Sequence, residues 1–352
     1  MGFYQAMQLS AANLKPLIKN AESKEIKNKY IAALILKSIL CLLFCTIVVI
    51  SFGKVFGEEN NVVGVVTVIS LLTFRFSNLD FKVRQAALTI VGIFGVLSIS
   101  PYIASISNPF LGFIINFISI IGILILTCHN IRLCNHSIFV LSYFLLYGYK
   151  VENTEILINR IIGLIFGGIL VASIFYIKQR KIEFKNTFID IINDVDFNTE
   201  RTKWQLKFAF VTTSAIMIGE FLHIPRAMWI GIACMSVFHP DKSQLQIRYK
   251  QRMLYMVLGC LMYMSIYFLI PQQFRGLIGL IGGVMIGFSG TYKWQTVFNA
   301  FGALSAATPI LGFGGAIIFR ILNNVFGALY SKGFDYIINF IDNKEFANVN
   351  EA

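Results

Sequence analysis

Four charged or amide side chains stand inside apolar runs at a recurring spacing. Arg160-Ile-Ile-Gly163-Leu-Ile-Phe-Gly167 and Arg320-Ile-Leu-Asn323-Asn324-Val-Phe-Gly327 each place an arginine seven residues before a glycine. Arg252 and Gly259 repeat that interval, and Gln85 and Gly92 carry it with glutamine in the arginine position. On a helix, residues seven apart share one face, two turns apart. Glycine there lets a neighbouring backbone approach, and arginine on that face has to point into protein or water. A guanidinium held among apolar residues is a forked donor for a carboxylate. Substrate binding or lining of an anion path is therefore the chemistry expected of Arg160, Arg252, Arg320, Asn323 and Asn324. The plainer alternatives are a snorkelling Arg160 near a span end and an Arg320 paired for packing alone. Lys37 carries the same ambiguity more weakly.

A second cluster, Glu220, His223 and Arg226, follows an apolar run and has the residue types of an outer gate or proton site. An ordinary solvated loop is the alternative. His239-Pro240-Asp241 reads as turn and cap chemistry, and His129 and His136 lack metal-ligand spacing. The six cysteines form no CxxC pair and sit mostly in apolar runs. No GxxxxGK[ST] loop, nucleophile–base pair or metal cluster is legible, so neither an ATP-driven pump nor an enzyme is expected, and no cofactor.

These residues need a membrane to position them. Of 352 residues, 56% are hydrophobic and 14% charged, with mean hydropathy +0.70. Soluble chains carry about 25% charged residues. The net charge of +12 does not call for a nucleic acid. Lys and Arg fall between the apolar runs, as membrane orientation requires. Apolar runs at about 30–52, 62–74, 85–100, 110–127, 133–147 and 156–176, then 204–222, 228–238, 253–270, 276–288, 292–307 and 313–330, predict twelve transmembrane helices. With both termini in the cytoplasm, 23 Lys and Arg lie inside and four outside. That asymmetry fits twelve crossings, including the short runs 62–74 and 228–238. The latter would reach only ~17 Å as a helix against a hydrocarbon core of about 30 Å.

The two sets of six have the same layout, with the second run short, followed by a basic turn and a long run. The expected fold is all-α, a polytopic membrane protein of two parallel six-helix repeats. The expected division is 1–29, an amphipathic cytoplasmic segment; 30–177, the first repeat; 178–203, an amphipathic linker in which Phe188, Ile191, Ile192 and Val195 keep helical spacing; 204–331, the second repeat; and 332–352, a cytoplasmic tail. Gly92, Gly167, Gly259 and Gly327 are expected to pack helices closely, as are Gly276, Gly279, Gly282, Gly283 and Gly287. Trp204, Trp229 and Trp294 stand near span ends, as interfacial aromatics do.

The stretch His223-Ile-Pro225-Arg-Ala-Met-Trp229, then Val237-Phe-His-Pro240-Asp241 and Arg248…Arg252…Gly259, resembles the fusaric acid resistance and aromatic acid exporter family. Arg160…Gly167 and Arg320…Gly327 resemble its arginine at the start of the last helix of each half. Tyr255 and Met256 depart from the family's Gly-Thr pair; Thr89 keeps the threonine, but Gln85 replaces the arginine. The large soluble insert of many members is reduced to residues 178–203. The resemblance implies an inner-membrane exporter of organic anions such as aromatic carboxylates, driven by the proton gradient. Its partners would be the bilayer, the anion, and a second copy or an envelope adaptor. An anion channel of related architecture and a non-transporting membrane subunit are the other readings.

Overall fold

The computed structural model describes residues 1–133 and 135–350. Among the described residues every regular element is a helix. In order they are α1 (Phe3–Gln8), α2 (Ala11–Lys19), α3 (Lys24–Phe56), α4 (Asn61–Phe74), α5 (Val83–Ile106), α6 (Pro109–Thr127) and α7 (His136–Gly148). They continue as α8 (Thr154–Gln179), α9 (Phe188–Asn193), α10 (Glu200–Phe221), α11 (Met228–Val237), α12 (Lys242–Leu269), α13 (Ile278–Phe288) and α14 (Tyr292–Asn350). Several starts are written locally. Asn108, Asn153 and Thr199 accept from Leu111, Ile156 and Thr202 N–H groups, satisfying first-turn donors of α6, α8 and α10.

Each of the twelve apolar runs falls on a helix, and among the described residues six helical stretches are long and apolar enough to cross a membrane. The shorter α7 and α11 are apolar as well. The sixth long stretch is α14, whose helical geometry breaks at Gly312 (φ 69°, ψ 165°), a left-handed conformation that suits glycine. The contacts of α12 show what the break does. Residues 248, 255, 259 and 263 meet Tyr292, Trp294, Val297 and Phe301 in ascending order. Beyond Gly312 the order reverses, with Tyr267 stacked on Phe313 at 4.3 Å and Arg252 bonded to Asn324. One arm of α14 therefore runs with α12 and the other returns.

The chain forms two compact units, Met1–Ile47 with Gln246–Val325, and Val48–Leu245 with Phe326–Ala352. They cut across the two sequence halves. In the first unit, Ala6, Ala11 and Leu14 pack on Ala33 and Leu34 of α3, with Phe288 of α13 beside them. The first 29 residues thus contribute to a packed core, and Lys37 donates to the Leu9 carbonyl at the end of α1. The glycines of α13 explain why α3 joins this unit. A Cβ at Gly283 or Gly287 would lie 2.9 Å from Leu42 or Ser38 atoms of α3, and one at Gly282 2.6 Å from Phe301. Between helices in lipid, such close approach replaces the hydrophobic drive available in water. Gly276 has no neighbour within 4 Å of an added Cβ.

In the second unit the two short helices are the most enclosed. Nine of 14 residues of α4 are buried, and seven of ten of α11. Both pack against α7: Phe139 stacks on Phe74 at 4.9 Å, and a Cβ at Gly148 would collide with Met228. The linker holds one helix of its own, α9, between the end of α8 and the start of α10. Ile191 is buried while Phe188 and Ile192 are exposed. Its start is pinned to the 75–85 turn, where Gln85 Oε1 accepts from Phe188 N–H (2.7 Å) and Asn186 O accepts from Lys82 N–H (2.9 Å).

Candidate functional site

The sequence-predicted arginines are buried in both units. Arg160 of α8 is 3% exposed. Its Nε donates to Asn60 Oδ1 (3.0 Å), one Nη to the Tyr149 carbonyl and the other to the Glu59 carbonyl (3.4 Å). Asn60 is itself tied down, donating to the Phe56 and Ile156 carbonyls at 2.8 and 3.1 Å. Arg160 thus clamps the start of the short α4 and the end of α7 to α8.

Arg252, Arg320, Asn323 and Asn324 come together in the first unit. Arg252 (5% exposed) donates from Nε and Nη2 to Asn324 Oδ1 at 3.0 and 2.7 Å, and Asn324 Nδ2 donates to the Arg320 carbonyl at 2.7 Å. Arg320 is 4% exposed, and both asparagines are fully enclosed. The acceptors bonded to Arg160 and Arg252 are neutral amide and carbonyl oxygens. Each arginine donates to oxygens that leave its positive charge uncompensated. In a low-dielectric setting such a charge attracts anions over a longer range than it would in water.

The glycines divide. An added Cβ at Gly167 would lie 2.3 Å from Thr67 Oγ1, one at Gly259 2.6 Å from Val297 O, and one at Gly327 2.6 Å from Ile230 O. Gly92 breaks the pattern. It is exposed with nothing within 4 Å of an added Cβ, because its face of α5 turns away from neighbouring helices.

At the α10–α11 turn, Arg226 donates to the Gly148 carbonyl (3.2 Å) and lies over the Tyr149 ring at 5.2 Å. Glu220 is half-buried within hydrogen-bonding reach of Tyr147. His223 is exposed and left-handed (φ 53°), and its neighbour's amide, Ile224 N–H, reaches back to the Gly219 carbonyl (2.8 Å). That is a helix-ending geometry in which glycine normally stands. Glycine would take this conformation without strain, so His223→Gly is expected to be neutral or stabilising by up to about 1 kcal/mol in thermal unfolding. A loss of transport without loss of stability would assign the imidazole to an outer gate or proton site.

Sequence reading missed two features. One is Asn60, whose only signal is its place just before the short apolar run. The other is a cavity of about 580 Å³ in the second unit, where the ends of α10, α11 and α14 meet the α6–α7 turn and the start of α12. Arg201, Lys203 and Lys207 line it with Trp204, Phe238 and Leu245; Glu200 and Asp335 supply the carboxylates. Arg201 is bound to Asp194 at 2.9 Å, and Lys203 lies 3.8 Å from Glu200. His239 at the rim accepts from Asp241 N–H (3.1 Å). Asp241 is held below the usual carboxylate range by the Ser243 hydroxyl and N–H, the capped turn its sequence implied. The Trp204 ring meets His136 edge-on at 5.1 Å, and its enclosed indole N–H has no acceptor among the described residues. Leaving such a donor unmet costs about 1–3 kcal/mol.

The helices and their buried cations define a multi-pass helical membrane protein. Residues 214–331, from late α10 into the returning arm of α14, match the family model of the fusaric acid resistance protein-like proteins. The matched segment contains the residues that carry the resemblance, His223…Gly259 and Arg320…Gly327. Searches of curated proteins and of solved structures found no match.

Proposed function

We propose that the protein is a membrane transporter that exports organic anions, aromatic carboxylates among them, using the proton gradient. The family match supports a transport and efflux role. The observation that carries the anion preference is the bonding of Arg160 and Arg252 to neutral oxygens, which leaves positive charge inside apolar helices. Charges there are costly and by default belong to a substrate or ion path. In this reading the chain crosses the inner membrane twelve times as two parallel repeats, with both termini cytoplasmic. The Lys- and Arg-rich segments between the apolar runs then face the cytoplasm, where export begins.

Reconstituted protein should move labelled benzoate across liposomes well above protein-free controls, faster when an opposing proton gradient is imposed. A cation of similar size, benzylammonium, should not move. Equal passage of both, or none of benzoate by folded protein, contradicts the proposal. Current that follows voltage without proton coupling would assign the same architecture to a channel.

A further inference from the structure

Within the second unit, α4 ends at Phe74, α5 begins at Val83 and α8 ends at Gln179. The turn 75–85 between the first two is bonded to the segment 178–188 that leaves the third. Gln179 Nε2 donates to the Phe76 carbonyl at 3.2 Å, and Asn186 Nδ2 to the Asp80 carbonyl at 3.3 Å. Lys82 N–H to Asn186 O and Phe188 N–H to Gln85 Oε1 complete the join. The two segments hold seven Lys and Arg, all exposed, and two carboxylates, Asp80 and Glu183. None of the seven forms an ion pair among the described residues. Asp190, just beyond, feels the Lys82 charge but is held by the Thr187 N–H and hydroxyl. Apolar side chains stand among these cations. Phe76 is 57% exposed, Ile182 46% and Phe188 37%, and the Arg75 guanidinium lies 4.5 Å over the Phe76 ring.

We propose that this surface binds the headgroups of acidic phospholipids in the leaflet it faces. Water would solvate the cations but leave the exposed rings and Ile182 unfavourably wet. At the headgroup layer, both are met: apolar side chains enter the acyl boundary and cations meet phosphates. The ends of three apolar helices bring the surface to that depth. The charge balance selects the lipid. A zwitterionic headgroup has no net charge to offer, whereas each Lys or Arg near an acidic leaflet strengthens attraction roughly fivefold. Because the turn and the segment are bonded to each other, lipid held at one is held at both. In the orientation proposed for the chain this is the cytoplasmic leaflet, but binding depends neither on orientation nor on what the protein transports.

The test uses the full-length protein in phosphatidylcholine vesicles, with Ile182→Trp as a fluorescent reporter. The difference from the parent protein separates its emission from that of Trp204, Trp229 and Trp294. Brominated phosphatidylglycerol is expected to quench this emission with at least about fivefold higher apparent affinity than brominated phosphatidylcholine. Adding Lys178→Gln, Lys181→Gln and Lys185→Gln should bring that preference below about twofold, while Arg at the same three positions should keep it. Should Ile182→Trp fail to fold, Phe76→Trp is the reporter. Equal quenching by the two lipids, or a preference unchanged in the triple Gln variant, overturns the proposal. So does an absence of quenching by either lipid, which would place the surface in water. Loss of the preference on adding millimolar glycerol phosphate would also overturn it, assigning the cations to a free anion.

Discussion

Arg252→Met is expected to lower stability, and Asn324→Leu added to it is expected to restore what was lost. The single change strands Asn324 Oδ1, which receives both Arg252 donors and is fully enclosed. A buried acceptor stripped of its partner costs about 1–3 kcal/mol. Removing both partners leaves two apolar side chains in an apolar setting, and such replacements of buried charged groups are often neutral or stabilising. The double variant should therefore unfold thermally at or above the wild-type temperature in detergent, and the single variant below both. A single variant as stable as the double would mean that the Arg252–Asn324 contact contributes nothing to the fold.

Gly327→Ala is the second large effect. The new methyl would stand 2.6 Å from the Ile230 carbonyl oxygen, 2.8 Å from Ala233 Cβ and 3.4 Å from Cys234 N. Two of these neighbours are backbone atoms of α11, so no side-chain rotation relieves them. The Gly327 carbonyl also accepts from Cys234 Sγ (3.3 Å), a contact that any separation of the helices would break. Overpacking of this kind costs about 1–3 kcal/mol. Gly92→Ala, at the matching interval in α5, meets nothing and should gain up to about 1 kcal/mol from helix propensity. Thermal unfolding of the pair measures the difference directly. Equal behaviour of the two would show that α11 and α14 are not in backbone contact.

That pair also marks how far the sequence could be read. Apolar runs placed the helices, because a membrane span needs long apolar segments and little else resembles them. The break between residues 307 and 313 was visible for the same reason, and Gly312 supplies it. Spacing alone could not distinguish Gly92 from Gly327. Seven residues fix a shared face, but whether that face meets a helix or lipid depends on distant chain. The partners of the arginines were hidden likewise: Asn60 lies 100 residues from Arg160, and Asn324 72 from Arg252.

Gln85, which stands where the second half has Arg252, anchors α9 instead of binding an asparagine. Assembly into units was not legible, since α3 follows the glycines of α13 rather than its own half. Nor was the cavity beside Trp204. Its lining comes from five separated stretches, and a tryptophan near a span end has an ordinary interfacial role to explain it.

The measurement that bears most directly on the account is benzoate flux in liposomes by the Arg252→Met/Asn324→Leu variant, compared with wild type at equal reconstitution. If the buried charge serves the anion, the folded variant should lose at least about tenfold in rate, the worth of one charge-assisted contact. A folded double variant that transports benzoate at the wild-type rate would show that Arg252 is a packing residue and that the anion path lies elsewhere.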